Sequence, residues 1–252
     1  MSKNKLRKFS ELDAFSHVFQ LQYNDVQNGA ECEMKGRWAE FFGNGYPIVV
    51  ELGCGRGEYT VALARCSPER NYIGVDVKGA RLWTGAKQAK EENLHNVTFI
   101  RTNIEMLSHC FAEGEISEIW LTFPDPQMKK CAKRLTSTNF LKLYGALLKK
   151  EGLIHLKTDS HFMFTYTRAV AEENRLPIIA CNEDIYNNLP PDDTLSIRTY
   201  YEQQWLARGI TIKYLCFRLL QQQEWKEPAI EIELDSYRSY GRSKRSGLKM
   251  NL

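Results

Sequence analysis

The stretch YPIVVELGCGRGE, residues 46–58, decides the fold. A short apolar run reads as a buried strand, and glycines follow it at once. The next residues, EYTVALARC (58–66), have helical spacing. Moving outward, the same alternation repeats. NYIGVD (71–76) is a second strand and KGARLWTGAKQAKEENL (78–94) a second helix. NVTFIR (96–101) and EISEIWLTF (115–123) are the third and fourth strands. STNFLKLYGALLKKEG (137–152) reads as a helix closed by its terminal glycine. LIHLKT (153–158) is a fifth strand and HFMFTYTRAVAEEN (161–174) another helix. PIIACNED (177–184) and ITIKYLCFRLL (210–220) read as late strands. Upstream, ECEMKGRWAEFFGNG (31–45) reads as a short amphipathic helix stopped by Gly43 and Gly45. Strands alternating with helices imply βαβ units: an α/β fold with a mainly parallel sheet and helices on both faces.

The length, 252 residues, fits one large α/β domain or two small ones, and 43% hydrophobic residues suffice for a sizeable core. Residues 1–30 show no sustained periodicity and are expected to form a basic arm. Residues 31–235 are expected to form the domain, and residues 236–252 a basic tail. The formal net charge is only +3, but both ends are basic. Lys3, Lys5, Arg7 and Lys8 precede the first acid, Glu11. Arg238, Arg242, Lys244, Arg245 and Lys249 have no acid among them. Such ends suit a polyanion, though solvated termini look the same. The seven cysteines are scattered without a C-x-x-C, so zinc spacing is absent and no metal is expected. A reduced cytoplasm is the expected setting. No apolar run approaches the roughly 20 residues of a membrane span, and the apolar core of a signal peptide is missing.

In parallel sheets, ligands bind outside the C-terminal ends of the strands. That rule aligns residues 51–57, Asp76, Asn103, residues 123–126 and Asp159 along one edge. Gly53, Gly55 and Gly57 follow the first strand with G-x-G-x-G spacing. A dinucleotide loop would read G-x-G-x-x-G, and no phosphate-binding G-x-x-x-x-G-K-[ST] occurs. Glu51 is a poor companion for a pyrophosphate, which carries like charge. It suits a ligand with an ammonium and a sulfonium, and S-adenosylmethionine has both. Asp76 is placed to accept from ribose hydroxyls, and Asn103 to meet an adenine edge. The alternative is a carboxylate that caps a loop and another that ends a strand.

FPDPQMKK (123–130) places Asp125 between two prolines. Proline fixes its own φ and disfavours helix in the preceding residue, so Phe123 and Asp125 are expected to be extended in a stiff loop. Lys129, Lys130, Lys133 and Arg134 then read as a phosphate-gripping run, against the alternative of a solvated face. LKTDSHF puts Asp159 after the fifth strand, where it reads as a substrate group or a helix N-cap. In IRTYYEQQ, Thr199 and Glu202 share a helix face and also spell a capping box.

The set VELGCGRGE, GVD, FPDP with trailing lysines, KTD and TYYEQ resembles the bacterial tRNA (guanine-N7)-methyltransferases over about residues 47–210. The resemblance implies a Rossmann-like methyltransferase fold, S-adenosylmethionine as donor, and tRNA as partner. The implied target is N7 of a guanine at position 46 of the variable loop. It implies that Glu51, Asp76, Asn103 and Asp125 line the cofactor site. Lys129, Asp159 and the Thr199 to Glu202 stretch would contact the substrate, with Asp159 and Glu202 accepting from the guanine N1–H and N2–H₂. Gln127 stands where the family often has Trp. Rival readings are a methyltransferase of another RNA, a protein or a small molecule, and a non-catalytic RNA-binding relic of the fold. An NAD dehydrogenase is more distant, given the glycine spacing.

Overall fold

The structure is a computed structural model. It describes residues 3–187, 192–222 and 224–238, without the side chains of residues 3, 4 and 238. The strands are β1 (Val18–Gln20), β2 (Ile48–Leu52), β3 (Asn71–Val75), β4 (Val97–Arg101), β5 (Ile116–Thr122), β6 (Leu148–Thr158), β7 (Ile178–Asn182) and β8 (Lys213–Arg218). The helices are α1 (Lys3–Asp13), α2 (Tyr23–Gln27), α3 (Trp38–Phe42), α4 (Glu58–Cys66), α5 (Gly79–Glu91), α6 (Thr138–Leu147), α7 (His161–Glu173) and α8 (Tyr200–Leu206).

The strands form one sheet in the order β1-β4-β3-β2-β5-β6-β8-β7. The pairings from β1 through β6 are parallel, and β8 lies antiparallel between β6 and β7. From β2 the chain builds outward through β3 and β4, then returns to lay β5 against the other side of β2. Strand order therefore reverses between β2 and β5, and a crevice opens at their C-terminal ends. Every residue of β2 is buried. Ile48, Val50 and Leu52 enter one hydrophobic layer, and Val49 enters the other. Period-two alternation puts Glu51 on the Val49 face, a carboxylate inside an otherwise apolar strand.

In its elements the structure differs from the sequence expectations in two regions. Within the first thirty residues, α1 packs on α5 and β1 extends the sheet beside β4. α1 does carry a short period, Leu6, Phe9 and Leu12 three apart, but over too few residues to read as sustained, and Leu12 is its deeply buried anchor. The helix expected over residues 137–152 ends at Leu147, and β6 begins at once. Gly152 is not its terminator: a Cβ there would sit 2.8 Å from Leu148, so it serves close packing in the strand. α3 does stop at Gly43, with φ 66°. Of the expected basic tail, residues 239–252 lie outside the described residues. Among the described residues, no helix is long and apolar enough to cross a membrane.

Candidate active site

The glycine loop joins β2 to α4 at the switch point. Gly53 and Gly55 have φ 75° and 57°, which L side chains rarely adopt. A Cβ on Gly53 would meet nothing within 4 Å, so the backbone conformation demands the glycine, not crowding. Gly57 also has a packing reason to be glycine. A Cβ there would come 2.8 Å from Phe99 and 3.0 Å from the Gly85 Cα, so this glycine lets α4 pack on β4 and α5. Asp76 fixes the loop: its Oδ2 accepts from the Gly55 N–H at 2.9 Å and its Oδ1 from the Lys78 N–H at 2.7 Å. The resulting cleft is lined by Glu51, residues 53–56, Glu58, Tyr59, Asp76, Arg81, Thr122, Phe123, Thr199 and Tyr201.

Glu51 lies at the bottom of this cleft and is 2% exposed. The hydroxyls of Thr60 and Thr122 donate to its two oxygens. Burial pushes its pKa up to about 7; the two hydroxyls pull it back, and the Asp76 charge adds to the rise. A buried carboxylate supplied only with neutral donors gains from a ligand cation. The cleft therefore fits the ammonium end of S-adenosylmethionine, with Asp76 at the next strand for the ribose.

Thr122 ends β5 and, through its bond to Glu51, brings the proline-flanked motif to the same rim. Phe123 is not extended as expected: it has φ 50° and its N–H donates to the Lys157 carbonyl at 2.8 Å. Gln127 has φ 44°. Left-handed non-glycine residues cost on the order of 1–3 kcal/mol each and persist where their surroundings hold them. Asp125 is exposed between them, outside the residues that line the cleft, and its Oδ1 accepts from the Gln127 N–H at 3.0 Å. Lys129 and Lys130 are exposed. Lys133 pairs with Glu105 at 3.2 Å. On the far side, Thr199 and Glu202 form the capping box of α8, and Tyr201 faces the cleft.

The family described as "Putative methyltransferase" matches residues 45–215. A tRNA (guanine-N(7)-)-methyltransferase of Bacteroides thetaiotaomicron is 58% identical over 99% of both chains. One of Porphyromonas gingivalis is 55% identical, covering 93% of this chain and 98% of its own. The chain belongs to the tRNA (guanine-N7)-methyltransferase family. The 16S rRNA methyltransferase KamB shares the fold, with TM-score 0.57 at 13% identity, over 77% of this chain and 98% of its own. The enzyme is thus a Rossmann-like methyltransferase.

Within this family frame, the expected residues divide. Glu51, Gly53, Gly55, Asp76 and Thr199 gather at the cleft. Asn103 lies outside its lining, as the N-cap of the 3-10 turn after β4. Asp159 and Glu202, expected at the guanine edge, are 1% and 0% exposed, which corrects that placement. Asp159 Oδ2 accepts from the Tyr237 hydroxyl at 2.8 Å. It is not the N-cap of α7 either; Ser160 takes that place, accepting from the Met163 N–H. The Glu202 carboxylate meets the Lys157 ammonium at 2.8 Å and accepts from the Tyr186 hydroxyl at 2.7 Å. Sequence reasoning missed Thr60, Thr122 and Lys157; the partners of Thr122 and Lys157 stand 71 and 45 residues away, while Thr60 lies nine residues from Glu51, across the glycine loop.

The raised Glu51 pKa sets a pH test. Between its ordinary 4.5 and about 7, the folded protein holds a proton that the unfolded chain releases. Stability therefore falls as pH rises through that window. Glu51→Gln removes this slope, so thermal denaturation from pH 4.5 to 8 should show wild type losing on the order of 3 kcal/mol relative to the variant. Parallel pH profiles would rule out a buried carboxyl that titrates there.

Proposed function

We propose that the protein transfers the methyl group of S-adenosylmethionine to N7 of a guanine in tRNA, at variable-loop position 46, giving 7-methylguanosine. The carrying observation is the meeting at one rim of a cleft suited to a cation and a carboxylate held in a strained loop, in a chain of this family. Bound S-adenosylmethionine supplies an electrophilic methyl on a sulfonium. Glu51 holds the ammonium end, with Gly53, Gly55 and Asp76 setting the rest of the donor. The N7 lone pair is free at neutral pH, so no general base is needed. As the nitrogen–carbon bond forms and the carbon–sulfur bond breaks, positive charge reaches the purine. Asp125 orients the base and stabilises that charge. Thr199 and Tyr201 face the base from the opposite wall, while Glu202 acts beneath them as a positioning group through the capping box and Asp159 acts from its buried place beside Tyr237. With tRNA as substrate, the activity belongs in the cytoplasm.

Lys129 and Lys130 hold the tRNA backbone. Lys129→Ala/Lys130→Ala should weaken tRNA binding and flatten its salt dependence by about one to two in log–log slope. An unchanged slope removes them from the interface. The reaction itself is tested by mass spectrometry of nucleosides from tRNA treated with the protein and S-adenosylmethionine. 7-Methylguanosine at position 46 is expected; methyl at another base, atom or position overturns this reading.

A further inference from the structure

Arg134 was read from the sequence as part of a phosphate grip, and the structure gives it other partners. Its guanidinium lies 4.3 Å from the Tyr166 ring centre and 4.8 Å from that of Phe162. Its Nη2 donates to the Met128 carbonyl at 3.1 Å and its Nε reaches the Gln127 carbonyl at 3.4 Å. Gln127 is the left-handed residue whose N–H holds Asp125. The planar group thus spans from two buried rings of α7 to the carbonyls just beyond the reactive carboxylate.

The rings are fixed from behind. The Tyr166 hydroxyl donates to Glu227 Oε2 at 2.6 Å, and the Thr138 N–H and hydroxyl donate to Glu227 Oε1 at 2.9 and 2.7 Å. The Cys131 thiol also reaches Glu227, at 3.1 Å. One carboxylate therefore ties α7 to both ends of the segment 131–138. Glu227 lies beyond residues 45–215, the part of the chain that the family matches.

We propose that Arg134 is a positioning residue for Asp125: it clamps the Gln127–Met128 turn onto the Phe162–Tyr166 face, and Glu227 braces that face from the C-terminal segment. This rests on the reading of Asp125 as the methyl-transfer carboxylate. A strained turn needs an outside hold, and a stacked, forked cation supplies one that a lysine does not.

Lysine separates this role from phosphate contact, because it keeps the charge and loses the fork and the stack. Arg134→Lys and Arg134→Gln are both expected to lower kcat on the order of tenfold or more. The Kd for S-adenosylmethionine, the melting temperature and the salt slope of tRNA binding should stay at wild-type values. Asp125→Ala/Arg134→Lys should be no slower than Asp125→Ala alone. Wild-type turnover by Arg134→Lys overturns the proposal, and a slope lowered only in Arg134→Gln would return the residue to phosphate duty. Parallel loss of donor affinity and melting temperature, or additive losses in the double variant, overturns it too. If Asp125→Ala itself turns over normally, the reading of the site fails and the proposal falls with it. If Asp125→Ala is slow and Arg134→Lys is not, the proposal fails alone.

Discussion

Asp125→Ala should lower the methylation rate on the order of a hundredfold or more, while affinity for S-adenosylmethionine stays within about twofold. Asp125 is exposed, stands outside the residues lining the cleft, and is held by the Gln127 N–H. In the proposed reading the donor is held instead by Glu51, the glycine loop and Asp76, which line the cleft. Charge develops on the purine only as the new bond forms, so a carboxylate aimed there acts mainly in the transition state. Asp125→Asn keeps the acceptor for Gln127 and loses the charge. It should stay closer to the alanine variant than to wild type. Single-turnover rates on tRNA, with calorimetry of the donor, make the comparison. Equal losses of rate and donor affinity would move Asp125 into the cofactor site and remove the proposed chemistry.

The rim was legible in the sequence because a parallel sheet has one ligand-binding end. Once residues 46–52, 71–76 and 115–123 read as strands, Gly53, Asp76 and Asp125 had to share it. What each side chain does there was less legible. The three glycines look alike in one dimension, yet a Cβ would be crowded only at Gly57, by Phe99 and Gly85. Thr199 and Glu202 spell a capping box and form one, but the same Glu202 carboxylate also meets a lysine 45 residues earlier. Prolines on both sides of Asp125 suggested extended backbone. The Phe123 N–H bond to Lys157 instead draws that residue to positive φ. Local rules gave the elements, while long-range partners decided which polar groups reach the cleft.

Lys157 is where those partners converge, and it carries the largest stability effect. Its side chain is fully buried. The ammonium donates to the carbonyls of Leu195 and Ile197 at 2.9 and 2.8 Å and to Glu202 at 3.0 Å. Burial lowers its pKa, and Glu202 works against that. Removing one member of a buried ion pair leaves an uncompensated charge, so Lys157→Met should cost about 3–5 kcal/mol. Lys157→Met/Glu202→Gln has no such charge. The glutamine oxygen can still accept in the capping box while its amide N–H donates to the Tyr186 hydroxyl, and most of the stability should return. Activity should not return with it. The two carbonyls would still lack their donor, which loosens the segment carrying Thr199 and Tyr201 to the cleft even though the Tyr59 hydroxyl on the Thr194 carbonyl and the Tyr200 N–H on Glu58 remain. Denaturant unfolding paired with tRNA methylation rates separates the two effects. A double variant that recovers both stability and turnover would reduce Lys157 to a structural ion pair, and a fully stable Lys157→Met would deny even that.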